Sequence, residues 1–100
     1  MDRKVIWSHE VASDMEAVAK FIAKDSPSYA AAFIRRILNS GNSLDKFSLR
    51  GRVVPEYGNS DIREIFIWDY RLIYQVHRSR VIILTLIHGS RDLARLIARH

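Results

Sequence analysis

The residues best suited to chemistry are one histidine and two arginines in the second half of the chain. His88 ends an apolar run, and it is a candidate general acid or base because the pKa of imidazole lies near neutrality. Arg63 and Arg71 fall in neighbouring predicted strands and could bind a phosphate beside it. The structural alternatives are a histidine that orders the turn after its strand through a backbone hydrogen bond, and arginines paired with an internal acid such as Glu64 or Asp69. The sequence leaves both interpretations open.

Arginine is also concentrated in the predicted loops and edges of the second half. Residues 1–49 carry seven Lys or Arg and six acids, whereas residues 50–100 carry nine Arg, no Lys and five acids, within a total formal charge of +5. Because guanidinium groups bind phosphates and carboxylates through paired hydrogen bonds, this half predicts an anion-binding surface, with simple solubility as the alternative. The candidates for binding a target or a phosphate are Arg50, Arg52, Arg63, Arg71, Arg78, Arg80 and Arg91.

Other kinds of site find little support in the residue pattern. The four histidines show no close ligand spacing and the chain has no cysteine, so we expect no metal and no cofactor. A Gly-rich phosphate-binding loop is also absent from the sequence. Tyr57 and Trp68 could stack on a nucleobase. For Trp68, packing in the core is the favoured interpretation.

Length and composition limit the class of protein. A chain of 100 residues predicts a single domain that spans residues 1–100. No run of residues approaches the roughly 20 apolar residues of a membrane span, and the N-terminus lacks the apolar run of a signal peptide. We therefore expect a compact cytoplasmic protein with no membrane partner.

The first half of the chain predicts a strand followed by two helices. Residues Lys4 to Trp7 are rich in β-branched and aromatic side chains, which favours a strand. Ser8 can cap a first helix, whose apolar residues recur at steps of three and four. Ser26 followed by Pro27 starts a second helix after a short turn, so the two helices should form an antiparallel hairpin. We expect Gly41 to let the second helix approach the first closely.

The second half changes to strand periodicity. An edge segment that contains Pro55 precedes three predicted strands, which run from Ile62 to Trp68, from Tyr70 to Val76 and from Val81 to Ile87. Ser90 can cap a last helix. The predicted fold is therefore α+β, with the N-terminal strand and the antiparallel helix hairpin packed on a small, mainly antiparallel sheet and a short C-terminal helical tail. The helix pair should cover one sheet face and leave the other for solvent or a partner.

Taken in order, these segments resemble the RelE/ParE superfamily of type II toxin–antitoxin toxins. The motifs that carry the resemblance are the entry into the first helix, the Ser-Pro start of the second, and the strands. In this chain they read Val5-Ile-Trp-Ser, Ser26-Pro27, Leu49-Arg-Gly-Arg-Val-Val-Pro-Glu, Ile62-Arg-Glu, Tyr70-Arg-Leu-Ile-Tyr and Ile83-Leu-Thr-Leu-Ile-His-Gly-Ser-Arg-Asp-Leu. Together they span nearly the whole chain.

The resemblance implies a small cytosolic toxin that a cognate antitoxin neutralises. ParE-like toxins of this superfamily inhibit DNA gyrase, whereas RelE-like toxins cleave messenger RNA in the ribosomal A site. RelE proper uses lysines around the region of residues 50–59, where this chain has none, and arginine is a poor base because it hardly deprotonates. The ending His-Gly-Ser-Arg-Asp-Leu is more similar to ParE. We therefore favour a gyrase inhibitor that is not an enzyme.

Two alternatives remain open. In a RelE-like endoribonuclease, His88, Glu56 or Glu64 would transfer protons while Arg63 and Arg71 bind the phosphate. A nucleic-acid-binding module without toxicity is the other alternative, and its affinity should fall with salt. For a toxin, we expect an acidic, partly disordered antitoxin segment that covers the arginine-bearing sheet face or packs over the helix pair.

Overall fold

The computed structural model describes residues 2–90 and shows an α+β fold in which two helices pack on a five-stranded sheet. In chain order the elements are β1 Lys4–Trp7, α1 His9–Ala23, α2 Pro27–Asn42, a 3₁₀ turn at Ser43–Asp45, β2 Arg52–Val53, β3 Ile62–Ile67, β4 Tyr70–Val76 and β5 Arg80–His88. The predicted order of a strand, a helix hairpin and then further strands is confirmed. The predicted C-terminal helical tail lies outside the described residues.

The sheet has the order β1-β5-β4-β3-β2. Strand β1 pairs with β5 in parallel, and the other neighbours pair antiparallel. The N-terminal strand therefore extends a meander of the later strands and places β5 inside the sheet, as its apolar sequence predicted. A register shift near Ile73 and Tyr74 interrupts the pairing of β4 with β5.

A serine starts each helix. The Ser8 hydroxyl accepts the Val11 backbone N–H at 3.1 Å and donates to the Leu84 carbonyl at 2.9 Å. The Ser26 hydroxyl accepts the Tyr29 N–H at 3.2 Å. Both predicted caps are present. Since the Ser8 hydroxyl also reaches β5, the first cap fixes the start of α1 over the sheet.

The main core lies between the helix pair and one face of the sheet. Alternate residues of β4 point toward the helices because side chains of a strand alternate between faces. The largest side chains that are fully buried in this layer are Phe33, Ile37, Leu44, Ile67, Leu72, Tyr74 and Ile83.

Gly41 permits a close approach, but to the sheet. A Cβ atom at this position would lie 2.4 Å from the Trp7 ring and 2.9 Å from the Ile83 side chain. The predicted contact with the first helix is thus replaced by contacts with β1 and β5. The end of α2 lies directly on these strands, so a side chain at position 41 would occupy the same space as the Trp7 ring.

The opposite sheet face is not left open along β4. Ile73 and Ile87 are buried there in a second apolar cluster with Val54 and Ile62. Val54 belongs to the segment that follows β2, and this segment therefore covers part of the face. The prediction of a face free for solvent or a partner is wrong for this part, since β4 carries buried side chains on both sides.

Candidate functional site

Arg71 lies on this second sheet face and is bound by two carboxylates. Its side chain donates to Glu64 Oε1 at 2.6 Å, and its two terminal nitrogens donate to the two oxygens of Glu56 at 2.9 Å each. Arg71 is only 4% exposed. The hydrogen bonds to Glu56 raise the pKa of Arg71 above its usual value, and the hydrogen bond from Arg71 lowers the pKa of Glu56. Arg71 therefore has the internal acid partner that the structural interpretation required.

Arg52 completes this ionic network. Its Nε lies 2.5 Å from Glu64 Oε2, and its guanidinium sits over the Phe66 ring at 5.0 Å from the centroid. Both oxygens of Glu64 are therefore occupied, and the Glu64 side chain has no exposed surface. The network joins β2, β3 and β4 to the segment that contains Glu56. It explains how the fold holds buried charges, because each one is paired.

Arg63 lies on β3 and binds backbone rather than an acid. It donates from Nε to the Ser60 carbonyl at 3.0 Å and from Nη1 to the carbonyls of Leu49 and Gly51 at 3.2 and 2.9 Å. These contacts tie the loops on both sides of β2 to the sheet. Arg50 nearby donates to the Ser43 hydroxyl at 2.8 Å.

Tyr74 anchors the same region from inside the core. Its buried hydroxyl accepts the Gly51 backbone N–H at 2.9 Å. A Cβ atom on Gly51 would lie 2.5 Å from this hydroxyl, so glycine permits the approach. Burial raises the pKa of Tyr74, and the neighbouring Arg63 and Arg50 oppose that shift.

His88 ends β5 and is exposed. Its Nδ1 accepts the Ser90 backbone N–H at 3.2 Å and lies 2.7 Å from the Ser90 hydroxyl. The imidazole and the Tyr70 ring also form a T-shaped contact, with the centroids 5.3 Å apart. The backbone hydrogen bond expected of a turn-ordering histidine is present.

The structure does not bring His88, Arg63 and Arg71 together. His88 pairs with Tyr70, and Arg71 pairs with the residue before His88, so the two side chains point to opposite faces. Arg63 on β3 pairs with Tyr74, which lies four residues beyond Tyr70 along β4. Strand β3 flanks β4 on the side opposite to β5. Four residues of strand span about 13 Å. One phosphate cannot contact all three side chains in this arrangement.

The remaining candidate arginines are divided between the end of the sheet and the undescribed tail. Arg78 and Arg80 are exposed at the connection between β4 and β5. Arg91 lies outside the described residues.

An exposed aromatic pair at the β3–β4 turn was missed. Trp68 stacks on Tyr29 of α2, with centroids 4.4 Å apart, and also contacts Phe33 at 5.0 Å. Trp68 is 36% exposed rather than part of the core, and its φ angle of 53° lies in the left-handed region. Such an angle is costly for a bulky residue. The sequence signal for this turn was the pair Trp68-Asp69 between two strand patterns. A two-residue hairpin turn requires a positive φ angle, which indicates that Trp68 lies in the turn and not in the strand.

Among residues 2–90, no three His, Asp or Glu side chains converge as metal ligands. Within the same range, no helix is long and apolar enough to cross a membrane.

The comparison with protein families shows to which family this chain belongs. The family model described as the ParE toxin of the type II toxin–antitoxin system, parDE, matches residues 5–93. This chain belongs to the ParE toxin family. The predicted membership of the RelE/ParE superfamily, with ParE favoured, is thereby confirmed.

The ParE fold is supported by a solved structure. A chain of the chromosomal ParDE TA system from P. aeruginosa is similar to this protein with a TM-score of 0.71 and 17% sequence identity. The alignment covers 86% of this chain and 95% of that chain. At this identity the similarity shows a shared fold. No curated protein matches the sequence.

Proposed function

We propose that this ParE-family toxin arrests growth by inhibiting DNA gyrase, acts in the cytoplasm, and is neutralised by a cognate antitoxin. The observation that carries the proposal is the family match over residues 5–93. Gyrase inhibition is the activity that the resemblance to ParE implies. The proposal treats the protein as one that binds its target rather than as an enzyme.

The geometry of the candidate residues supports binding over RNA cleavage. Metal-free cleavage needs a base, an acid and cations around one phosphate. Here Glu56 and Glu64 are both held by Arg71, so the carboxylates and the cation neutralise one another. His88 faces away from Arg71 and lies far along the sheet from Arg63. No nuclease set is assembled among the described residues.

The decisive experiment runs two assays on the same purified protein. We expect the wild type to inhibit gyrase supercoiling and to leave ribosome-bound messenger RNA intact. His88→Ala is the matched variant, because the side chain is exposed and its loss should preserve the fold. Growth arrest should persist in this variant. Transcript cleavage without gyrase inhibition, abolished by His88→Ala, would establish the RelE-like alternative instead.

A growth assay tests the third alternative. Expression of the toxin should arrest growth, and co-expression of the product of the neighbouring gene should relieve the arrest. A nucleic-acid-binding module without toxicity predicts normal growth in both cases. Normal growth at confirmed expression would therefore reject the toxin proposal.

For the antitoxin we propose an acidic segment that packs over the helix pair. Both helices keep large apolar side chains exposed, namely Phe21, Tyr29 and Leu38. The formal charge of +5 favours an acidic partner. The arginine-bearing sheet face is a weaker candidate for binding the acidic segment, because its Arg71 is already paired with two acids of the toxin itself.

Single substitutions test the helix pair as the binding surface. Phe21→Gln and Leu38→Gln should each weaken antitoxin binding at least tenfold while growth arrest persists. Phe47→Gln is the control, because Phe47 is about as exposed as Phe21 but lies off the helix pair. Equal weakening by all three substitutions would reject the helix pair as the binding surface.

A further inference from the structure

Four cations gather at the end of the sheet where β4 turns into β5. We name Arg3, Lys4, Arg78 and Arg80 the basic end. Lys4 is the register partner of Arg80 across the parallel pair of β1 and β5. Arg78 lies in the turn between β4 and β5. The topology thus brings the N-terminus of the chain beside a turn that is more than 70 residues away in sequence.

Backbone hydrogen bonds hold this arrangement. The His77 N–H donates to the Arg80 carbonyl at 2.8 Å and closes the turn, and the Lys4 N–H donates to the Ser79 carbonyl at 3.1 Å. Arg3 Nε donates to the His77 carbonyl at 2.8 Å. The positions of the charges are therefore set by the sheet itself and not by flexible side chains alone.

These cations have no ion-pair partner in the described part of the chain. The ion pairs there join Glu16 to Lys20 and connect the network around Arg71. Residues 2–4 and 77–80 contain four cations and a single acid, Asp2, for a formal net charge of +3. Lys4, Arg78 and Arg80 are exposed.

Such a cluster is unfavourable by itself. Adjacent strands lie about 4.8 Å apart, which is well inside the Debye length of about 8 Å at physiological salt. Like charges at directly paired strand positions are destabilising, and Lys4 and Arg80 occupy such positions. A ligand that carries regularly spaced negative charges removes this repulsion and releases its own counterions.

The surroundings favour a duplex over a single strand. Single-stranded nucleic acids are bound through aromatic side chains that stack on bases. The exposed stacked pair of this chain, Tyr29 and Trp68, lies at the β3–β4 turn, which is the opposite end of β4. That strand has seven residues and spans roughly 20 Å. The basic end thus lies at the other end of this strand from the stacked aromatic pair.

We propose that the basic end is a contact site for the phosphate backbone of duplex DNA, without sequence preference. This inference goes beyond the proposed toxin activity and does not depend on which target is inhibited. Backbone contacts fix position on a duplex and carry no sequence information. The affinity should therefore depend steeply on salt and little on the DNA sequence.

The test measures binding of the full-length protein to a fluorescent 30-base-pair duplex between 50 and 200 mM NaCl. If all four cations neutralise phosphates, this change in salt weakens binding about 150-fold. The triple variant Lys4→Gln, Arg78→Gln, Arg80→Gln keeps one cation and should weaken only about 3.5-fold. Arg3 is left in place because its side chain also binds the His77 carbonyl.

A second triple variant controls for net charge. Lys24→Gln, Arg35→Gln and Arg36→Gln also remove three positive charges from exposed positions. Lys24 directly follows α1, and the two arginines lie on α2. This variant should keep the steep salt dependence of the wild type. An equal reduction in both triple variants would show that only net charge matters and would overturn the proposal.

Two further probes decide the class of partner. Single-stranded RNA of equal length tests a stacking-dependent partner, and poly-glutamate tests an acidic protein. Tighter binding of either probe than of the duplex would overturn the proposal. Duplex DNA should also raise the melting temperature of the wild type and not that of the basic-end variant, which shows in the same experiment that the variant is folded.

Discussion

The two faces of the central strands are built on different physical principles. Toward the helices, β4 presents Leu72 and Tyr74 to an apolar layer. Toward the other side, the same strand presents Arg71 to a closed set of carboxylates. The apolar layer is stabilised in proportion to the area removed from water. On the other face, beside the second apolar cluster, the network around Arg71 is stable only while every buried charge keeps its partner. The helix face is therefore sensitive to a loss of side-chain volume, whereas the Arg71 network is sensitive to the loss of a charged partner.

The largest effect is expected on the helix face. Phe33 is fully buried and contacts the rings of Trp68 and Tyr70. Phe33→Ala removes these contacts and leaves a cavity, which should lower the free energy of unfolding by about 4 kcal/mol. Urea denaturation followed by circular dichroism measures the loss. Phe47→Ala, at an exposed position, should change stability by less than about 0.5 kcal/mol. Similar losses in both variants would contradict the assignment of Phe33 to the core.

The next largest effect is expected in the network around Arg71. Arg71→Met preserves most of the side-chain volume but leaves Glu64 fully buried with one partner fewer. We expect a loss of about 3 kcal/mol, because breaking a buried pair leaves an uncompensated charge. The double variant Arg71→Met, Glu64→Leu should recover at least half of this loss. A double variant less stable than Arg71→Met alone would mean that Glu64 contributes mainly through other contacts.

The single hydrogen bond between Gly51 and Tyr74 should have a smaller effect. Tyr74→Phe leaves the buried Gly51 N–H without its acceptor and should cost about 1–2 kcal/mol. Because burial raises the folded-state pKa of Tyr74, its contribution is complete below the usual tyrosine pKa of 10.0 and is lost as the pH rises above it. The wild type should therefore lose stability in alkali more steeply than Tyr74→Phe. Parallel curves above pH 10 would reject this cause.

The helix-side core could be predicted from the sequence more completely than the charge pairs around Arg71. The strands and helices depend on local periodicity, so their positions were predicted within a few residues, as were the caps at Ser8 and Ser26. The helix-side core follows from the same pattern. Glu64 was named from the sequence as a possible acid partner of the strand arginines, and it does bind Arg71. The second partner, Glu56, was not, because it lies 15 residues away on a segment whose path over the sheet is set by tertiary packing. Charge pairing in a fold is non-local, whereas amphipathic periodicity is local.

Trp68 shows a second limit of local patterns. Packing in the core was the favoured interpretation of this residue. The two-residue turn instead requires a left-handed backbone there, and the stack with Tyr29 holds the side chain at the surface. A contact across two elements thus overrides both the propensity of Trp and the strand pattern, which is how the exposed aromatic pair escaped prediction.

The smallest effect on stability is expected in acid and involves Glu56 in the Arg71 network. The hydrogen bond from Arg71 lowers the pKa of Glu56 below its usual value of 4.5. A lowered folded-state pKa means that this stabilisation is present above pH 4.5 and is lost as the pH falls through the folded-state value. Since the Glu56 side chain is 31% exposed, solvent screens the pair and the effect should be modest.

The measurement compares the free energy lost in Arg71→Met at pH 6 and at pH 3. The loss should shrink at pH 3, because the wild type has then also given up the charge on Glu56. Phe33→Ala provides the contrast, since an apolar cavity contains no titrating group and its cost should be the same at both values. Equal pH dependence in the two variants would mean that acid destabilises the fold globally and does not act on the Arg71 network.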